Sequence, residues 1–347
     1  MNPNTEDESM KKHLMTVMIV FFAMGVALIW AQETVEALKA EIDALTDKQS
    51  QLVEQMEGVS KAQYDAMMEE YNANKEKLEE LKAKFAELQS ADDQLQQAKA
   101  AYNAGNRANK MGQYAEAIKS YNKAIKLDPS IANAYIGKAY ALKKLKRFDE
   151  AQATYETAIS ADSTNSTAYL NLGMLHRDKE EYDKAIAVYR KALEHDPDLA
   201  KAWYEIGSTY TKLKNYSKAA EAFEKAVDVD PNYDRAYNAL GVALTETAHY
   251  NEAINALQKA VAIDPDFGDA YYRMAKALNA VGRYREAISA ADNALQHDRR
   301  LLAANLEKGE AYEKLGDKTN AILAYQEAAK SRPLKKYAEY KIEQLKK

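Results

Sequence analysis

The sequence predicts an all-α fold: a superhelical solenoid of stacked helix pairs, preceded by an N-terminal hydrophobic helix and a long coiled-coil helix. Three observations carry this. The dipeptide Asp-Pro recurs at Asp128-Pro129, Asp196-Pro197, Asp230-Pro231 and Asp264-Pro265, at intervals of 34 residues or twice 34, and a fixed period of that size marks a solenoid. Apolar residues fall at heptad spacing in the stretch before the repeats. Only 12 Gly and 6 Pro occur among 347 residues, too few for long loops or a β architecture.

Aligned on the period, residues 98–335 divide into seven repeats: 98–131, 132–165, 166–199, 200–233, 234–267, 268–301 and 302–335. The twentieth position is Ala throughout (Ala117, Ala151, Ala185, Ala219, Ala253, Ala287, Ala321), and so is the twenty-seventh (Ala124 through Ala328). The eighth is Gly105, Ala139, Gly173, Gly207, Gly241, Ala275 and Gly309. Small residues let two antiparallel helices approach, while aromatics at the seventeenth position and large residues at the twenty-fourth fill the space between layers. The residue before proline is pushed out of the helical region and Asp favours turns, so Asp-Pro punctuates successive helices.

These columns resemble the tetratricopeptide repeat (TPR). The fourth repeat carries the pattern most fully, with Trp203, Ile206, Gly207, Tyr210, Ala219, Phe223, Ala226 and Pro231. The resemblance implies a right-handed superhelix whose first helices line a concave groove, with positions two, five, six, nine, twelve and thirteen facing a protein or peptide ligand. The partner-binding candidates on those positions are Tyr102, Asn106, Ile136, Tyr140, Leu170, Asn171, Met174, Tyr204, Ser208, Asn238, Tyr272, Arg273 and Lys276. The subfamily that clamps a terminal carboxylate uses Lys at the fifth position; Tyr102 stands there, and Thr167 and Asn171 replace its later basic pair. That clamp is absent.

Residues 1–13 form a polar tail, and residues 14–31, LMTVMIVFFAMGVALIWA, are 18 residues without a charge. Their length suits a transmembrane anchor, and Ala31 before Gln32 suits a cleaved signal peptide. Lys11 and Lys12 keep the amino end cytoplasmic by the positive-inside rule, which places the repeats outside, in a bacterial periplasm or anchored facing it. The order signal or anchor, coiled coil, TPR is similar to that of periplasmic Tol-Pal-associated TPR proteins. A cytosol-facing membrane receptor and a self-assembling structural scaffold stand as alternatives.

Residues 32–97 carry two heptad frames, Val35 to Val59 and Met67 to Leu95, offset at Gly58. A continuous helix with a stutter gives a parallel homo-oligomer, whereas a turn at Gly58 folds the two halves into an antiparallel hairpin. Gly58 has no Pro or Asn beside it, which favours the continuous helix. Residues 336–347 read as a C-terminal capping helix with lysines on its solvated face.

Chemistry is hard to find. With no cysteine, disulfides and thiolate catalysis are excluded. The five histidines lack metal-ligand spacing, and no cofactor motif occurs. Net charge is −5, with no concentrated basic face for nucleic acid. The chain reads as a non-enzymatic interaction scaffold. Asn165-Ser166-Thr167 and Asn215-Tyr216-Ser217 fit the N-glycosylation pattern.

Overall fold

The computed structural model describes residues 34–347. The hydrophobic stretch 14–31 lies outside them. Among the described residues no helix is long and apolar enough to cross a membrane. All regular structure there is helical. Contacts divide the chain into two parts, one reaching to Asn103 with Lys123–Asp128, the other Ala104–Asn122 with Pro129–Lys347.

In the first part, helix α1 covers 34–55 of the described residues, and α2 runs Lys61–Lys110. They form an antiparallel hairpin. Lys48 pairs with Glu70 at 2.7 Å and Glu41 with Lys77 at 2.6 Å, so one index falls as the other rises. Gln49, a polar interruption of the first heptad frame, donates its amide to the Tyr71 carbonyl at 3.4 Å. Leu38, Leu52 and Leu78 are buried. This corrects the expected continuous helix. Gly58 takes φ +78°, a conformation glycine adopts at little cost. Ser60 then starts α2 with the reciprocal half of a capping box: its N–H and its hydroxyl both donate to Gln63 Oε1, at 3.2 and 2.7 Å.

The second part is a stack of helix pairs. After α3 (Tyr114–Leu127) come α4 (Ala132–Lys144) with α5 (Phe148–Ala161), α6 (Ser166–Asp178) with α7 (Tyr182–His195), and α8 (Ala200–Lys212) with α9 (Tyr216–Val229). Then follow α10 (Asp234–Glu246) with α11 (Tyr250–Ile263), α12 (Gly268–Ala280) with α13 (Tyr284–His297), α14 (Ala303–Lys314) with α15 (Lys318–Ala328), and α16 (Lys335–Lys346).

Packing explains the repeated columns. Every alanine at the twentieth and twenty-seventh positions has no exposed surface. The eighth-position glycines are seated under the twenty-fourth-position side chains. A Cβ on Gly173 would come within 2.5 Å of the Tyr189 ring, and one on Gly207 within 2.7 Å of Phe223. Where the eighth residue is Ala275, its counterpart is the small Ala291, and both are fully buried.

The turns inside the pairs share one geometry. The fifteenth residue of each repeat is left-handed: Gly112, Lys146, Glu180, Lys214, Ala248, Gly282 and Gly316, with φ between 57° and 82°. The next N–H reaches back five residues, as in Arg147 to the Leu142 carbonyl at 3.0 Å and His249 to Leu244 at 2.8 Å, which is the Schellman closure of a helix end. Between pairs, an Asp carboxylate accepts from the backbone two residues on, with or without a following proline: Asp230 from Asn232 and Asp298 from Arg300, both at 3.0 Å. The two sequon asparagines serve as helix caps, Asn165 accepting from the Ala168 N–H and Asn215 from the Lys218 N–H.

At the C-terminal end, α16 packs on α15. Ala338 is buried against the cluster of Ala321, Tyr325 and Ala328, with Ile342 and Leu345 beside it. Tyr337, Tyr340 and most of the α16 lysines stay exposed.

Candidate functional site: the wall of first helices

First helices of successive pairs (α4, α6, α8, α10, α12, α14) approach one another in sequence, while the second helices do not pack together in the same way. A stack whose first helices are the closer set curves with those helices on its inner side. The groove wall is therefore built from them.

The wall is tied together by rungs between residues 28 apart, the twelfth position of one repeat and the sixth of the next. Asn109 donates to the Gly137 carbonyl at 3.1 Å. Arg177 donates to the Glu205 carboxylate. Asn279 donates to both the carbonyl (2.9 Å) and the carboxylate (3.0 Å) of Glu307. Burial pushes the Glu205 carboxyl up, with Arg177 opposing, and burial likewise pushes Glu307 up, opposed by the Asn279 hydrogen bond. Lys143 adds a contact to Asp178 at 3.1 Å between α4 and α6.

The candidates sort into three groups. Ile136 and Leu170 are withdrawn into the core, 9% and 4% exposed, so these two belong to interhelix packing and not to the reachable surface. Their apolar side chains at the fifth position turn toward the neighbouring helices because burial there removes them from water.

Aromatic and sulfur-bearing candidates stand half-buried. Tyr140 lies edge-on to Tyr114, at 6.4 Å between ring centroids, under the Lys144 ammonium. Met174 packs against the core of α6 to α8. Tyr204 is tilted against Tyr233 at 5.1 Å, and burial raises the Tyr204 phenol and pushes that of Tyr233 up to about 12. The Tyr272 phenol is also raised by burial, then by Glu307.

Polar candidates are tied by hydrogen bonds. Asn106 accepts from the Tyr121 hydroxyl at 2.7 Å, and Asn171 donates to the Thr167 carbonyl at 2.8 Å. Asn238 and Arg273 both donate to Asp269. Lys276 is exposed, its ammonium 3.9 Å from Glu246, and Ser208 stands half-buried. Tyr102 belongs to the first part of the molecule and is half-buried on α2.

Toward the C-terminal end the wall opens into a cleft of about 380 Å³, lined by Lys276, Asn279, Ala280, Tyr284, Glu307, Glu310 and Lys314. The position rule places Lys276 there; Asn279, Glu307, Glu310 and Lys314 occupy the twelfth, sixth, ninth and thirteenth positions of their repeats and are legible by the same rule.

The histidines of the described residues have structural partners. His176 is buried with Nδ1 at 2.6 Å from Glu181, and His195 and His297 stack on Tyr169 and Tyr271. Among the described residues no cluster of His, Cys, Asp or Glu could hold a metal ion.

Comparison with known proteins agrees with this architecture. A tetratricopeptide repeat family model matches residues 138–200, 170–234 and 272–335, and a second TPR repeat model matches 105–146 and 249–282. Together these span well over half of the chain, which belongs to the tetratricopeptide repeat family. Among solved structures, the C-terminal part of a TPR repeat-containing protein from Cytophaga hutchinsonii is 22% identical with a TM-score of 0.57, over 70% of this chain and 99% of that one. Pseudomonas aeruginosa pilF is 18% identical with a TM-score of 0.55, over 64% and 99%. MamA protein is 30% identical over 48% and 90%, with a TM-score of 0.46. No curated protein matches the chain.

Proposed function

We propose that the protein is an interaction scaffold that holds a peptide or helix of a partner protein against its wall of first helices. The observation that carries this is the wall itself. It aligns half-buried aromatics (Tyr140, Tyr204, Tyr272) with polar and charged groups (Ser208, Arg273, Lys276) on one face, the mixture that recognises extended or helical segments. A displayed peptide library selected against the full chain tests it. Ser208→Arg should weaken a selected peptide about tenfold or more. Leu323→Asp, on the exposed face of α15, should leave it unchanged. Equal loss from the α15 variant would sink the reading.

The same proposal has the scaffold held at, or exported across, a membrane by residues 14–31, with the repeats on the extracytoplasmic side. The uncharged length of that stretch and the lysines before it support this. Copies would associate hairpin to hairpin through residues 32–97, where Val53 and Tyr64 stay exposed. An intact mass of the mature protein from its own membrane fraction decides between a start at Gln32 and a retained anchor.

A further inference from the structure

The rung between α12 and α14 lacks something its counterpart has. Glu205 and Glu307 occupy the same repeat position three repeats apart on the inner wall, Glu205 buried and Glu307 half-buried, and loss of water raises both carboxyls. Glu205 receives the Arg177 guanidinium. At the equivalent place beside Glu307 stands Asn279, which is uncharged and whose shorter side chain donates to the Glu307 carboxylate at 3.0 Å. Among the described residues no ion pair reaches Glu307: the Lys276 ammonium, 3.9 Å from Glu246, lowers the Glu307 carboxyl less than burial and Glu310 raise it, and Lys314 is exposed at the rim. Asn279 Oδ1 is buried without a donor. Glu310, one turn along α14, accepts the Tyr337 hydroxyl at 3.0 Å. Where the longer side chain would lie, the molecule has the cleft of about 380 Å³.

A carboxylate drawn partly out of water without a direct ion pair is costly, and a guanidinium matches it with a planar pair of donors. We propose that the cleft between α12 and α14 is a subsite for an arginine side chain of the partner segment, which supplies to Glu307 and Glu310 the charge that Arg177 supplies to Glu205. The chain's own Arg177–Glu205 pair is the template for the contact. This rests on the groove reading above and narrows it: the partner segment is basic at the point where it passes α12 and α14.

The test uses the full chain with methyl-labelled alanine, observing Ala280 in the cleft by NMR. The probes are N-acetyl-arginine methylamide and its citrulline counterpart, which has the same shape without the charge. The arginine probe should shift the Ala280 methyl saturably, and the citrulline probe should bind about tenfold more weakly. Glu307→Gln should weaken the arginine probe by a similar factor. Asn279→Arg should abolish its binding while leaving the thermal midpoint at or above that of the parent, because the new guanidinium occupies the subsite. Equal response to the two probes, or undiminished binding by Glu307→Gln, overturns the proposal. A library-selected peptide that keeps its affinity in Glu307→Gln yet loses it in Ser208→Arg would leave the groove reading standing and remove this one.

Discussion

Arg177 on α6 donates to the carboxylate of Glu205 on α8, and Glu205 is only 5% exposed. The pair links inner helices of two repeats at a point where both lose water. Such a pair adds little net stability over an apolar replacement, yet breaking one side strands a charge.

Arg177→Ala should therefore cost about 3–5 kcal/mol locally, and the double change Arg177→Met with Glu205→Leu much less. Repeat arrays do not unfold as one unit, so the readout is hydrogen exchange of α6 and α8 set against that of α14 and α15. Equal protection loss in both variants would refute the account.

Ala248 closes α10 at φ 62°, a conformation that costs a residue with a Cβ roughly 1 kcal/mol or more relative to glycine. Ala248→Gly should raise the stability of the α10–α11 pair by about 1 kcal/mol in urea unfolding. The same change at Gly282, made in reverse as Gly282→Ala, should lower that of α12–α13 by a comparable amount. The fold tolerates the strain at Lys146, Glu180, Lys214 and Ala248 because the Schellman bonds and flanking core contacts over-determine the turn.

That turn shows where sequence reading stops. Columns of alanine and glycine were legible because packing accepts only one or two residue types there. The fifteenth position was not, since its backbone conformation is enforced from outside and three glycines share the column with lysine, glutamate and alanine. The groove was half legible. Spacing identifies which positions lie on the inner helices, but at the fifth position Ile136 and Leu170 turn into the core while Tyr204 stays half-exposed. The choice depends on the neighbouring repeat, which spacing within one repeat does not describe. At the hairpin the signal was present in Ser60 and Gln63, and it outweighs the want of a proline or asparagine beside Gly58.

The stability of the C-terminal pairs should depend on pH through Glu307. Burial raises its folded-state pKa above the unfolded value, so in acid the group is neutral in both states and carries no penalty. As pH rises through the unfolded value the penalty appears, and it is complete above the folded value. Glu307→Gln keeps an oxygen for Asn279 and removes the charge. Its thermal midpoint should match the parent near pH 4 and exceed it near pH 7. A difference that is constant across that range would show that ionisation of Glu307 is not the cause.

The hairpin makes the last prediction. Glu41 and Lys77 face each other at 2.6 Å in the structure; on one continuous helix, 36 residues of separation would place them about 54 Å apart. The chain has no cysteine, so spin labels introduced at these two positions report only on this pair. Diluting labelled chains with unlabelled ones isolates the distance within a single molecule. A short separation that persists on dilution is the expected result, and a dominant distance near 54 Å would restore the straight helix. Gly58→Ala should push the distribution toward longer separations, because alanine is strained at φ +78°. Ser60→Ala, which removes one of the two hydrogen bonds to Gln63, should cost about 1 kcal/mol and broaden the distribution without moving its centre.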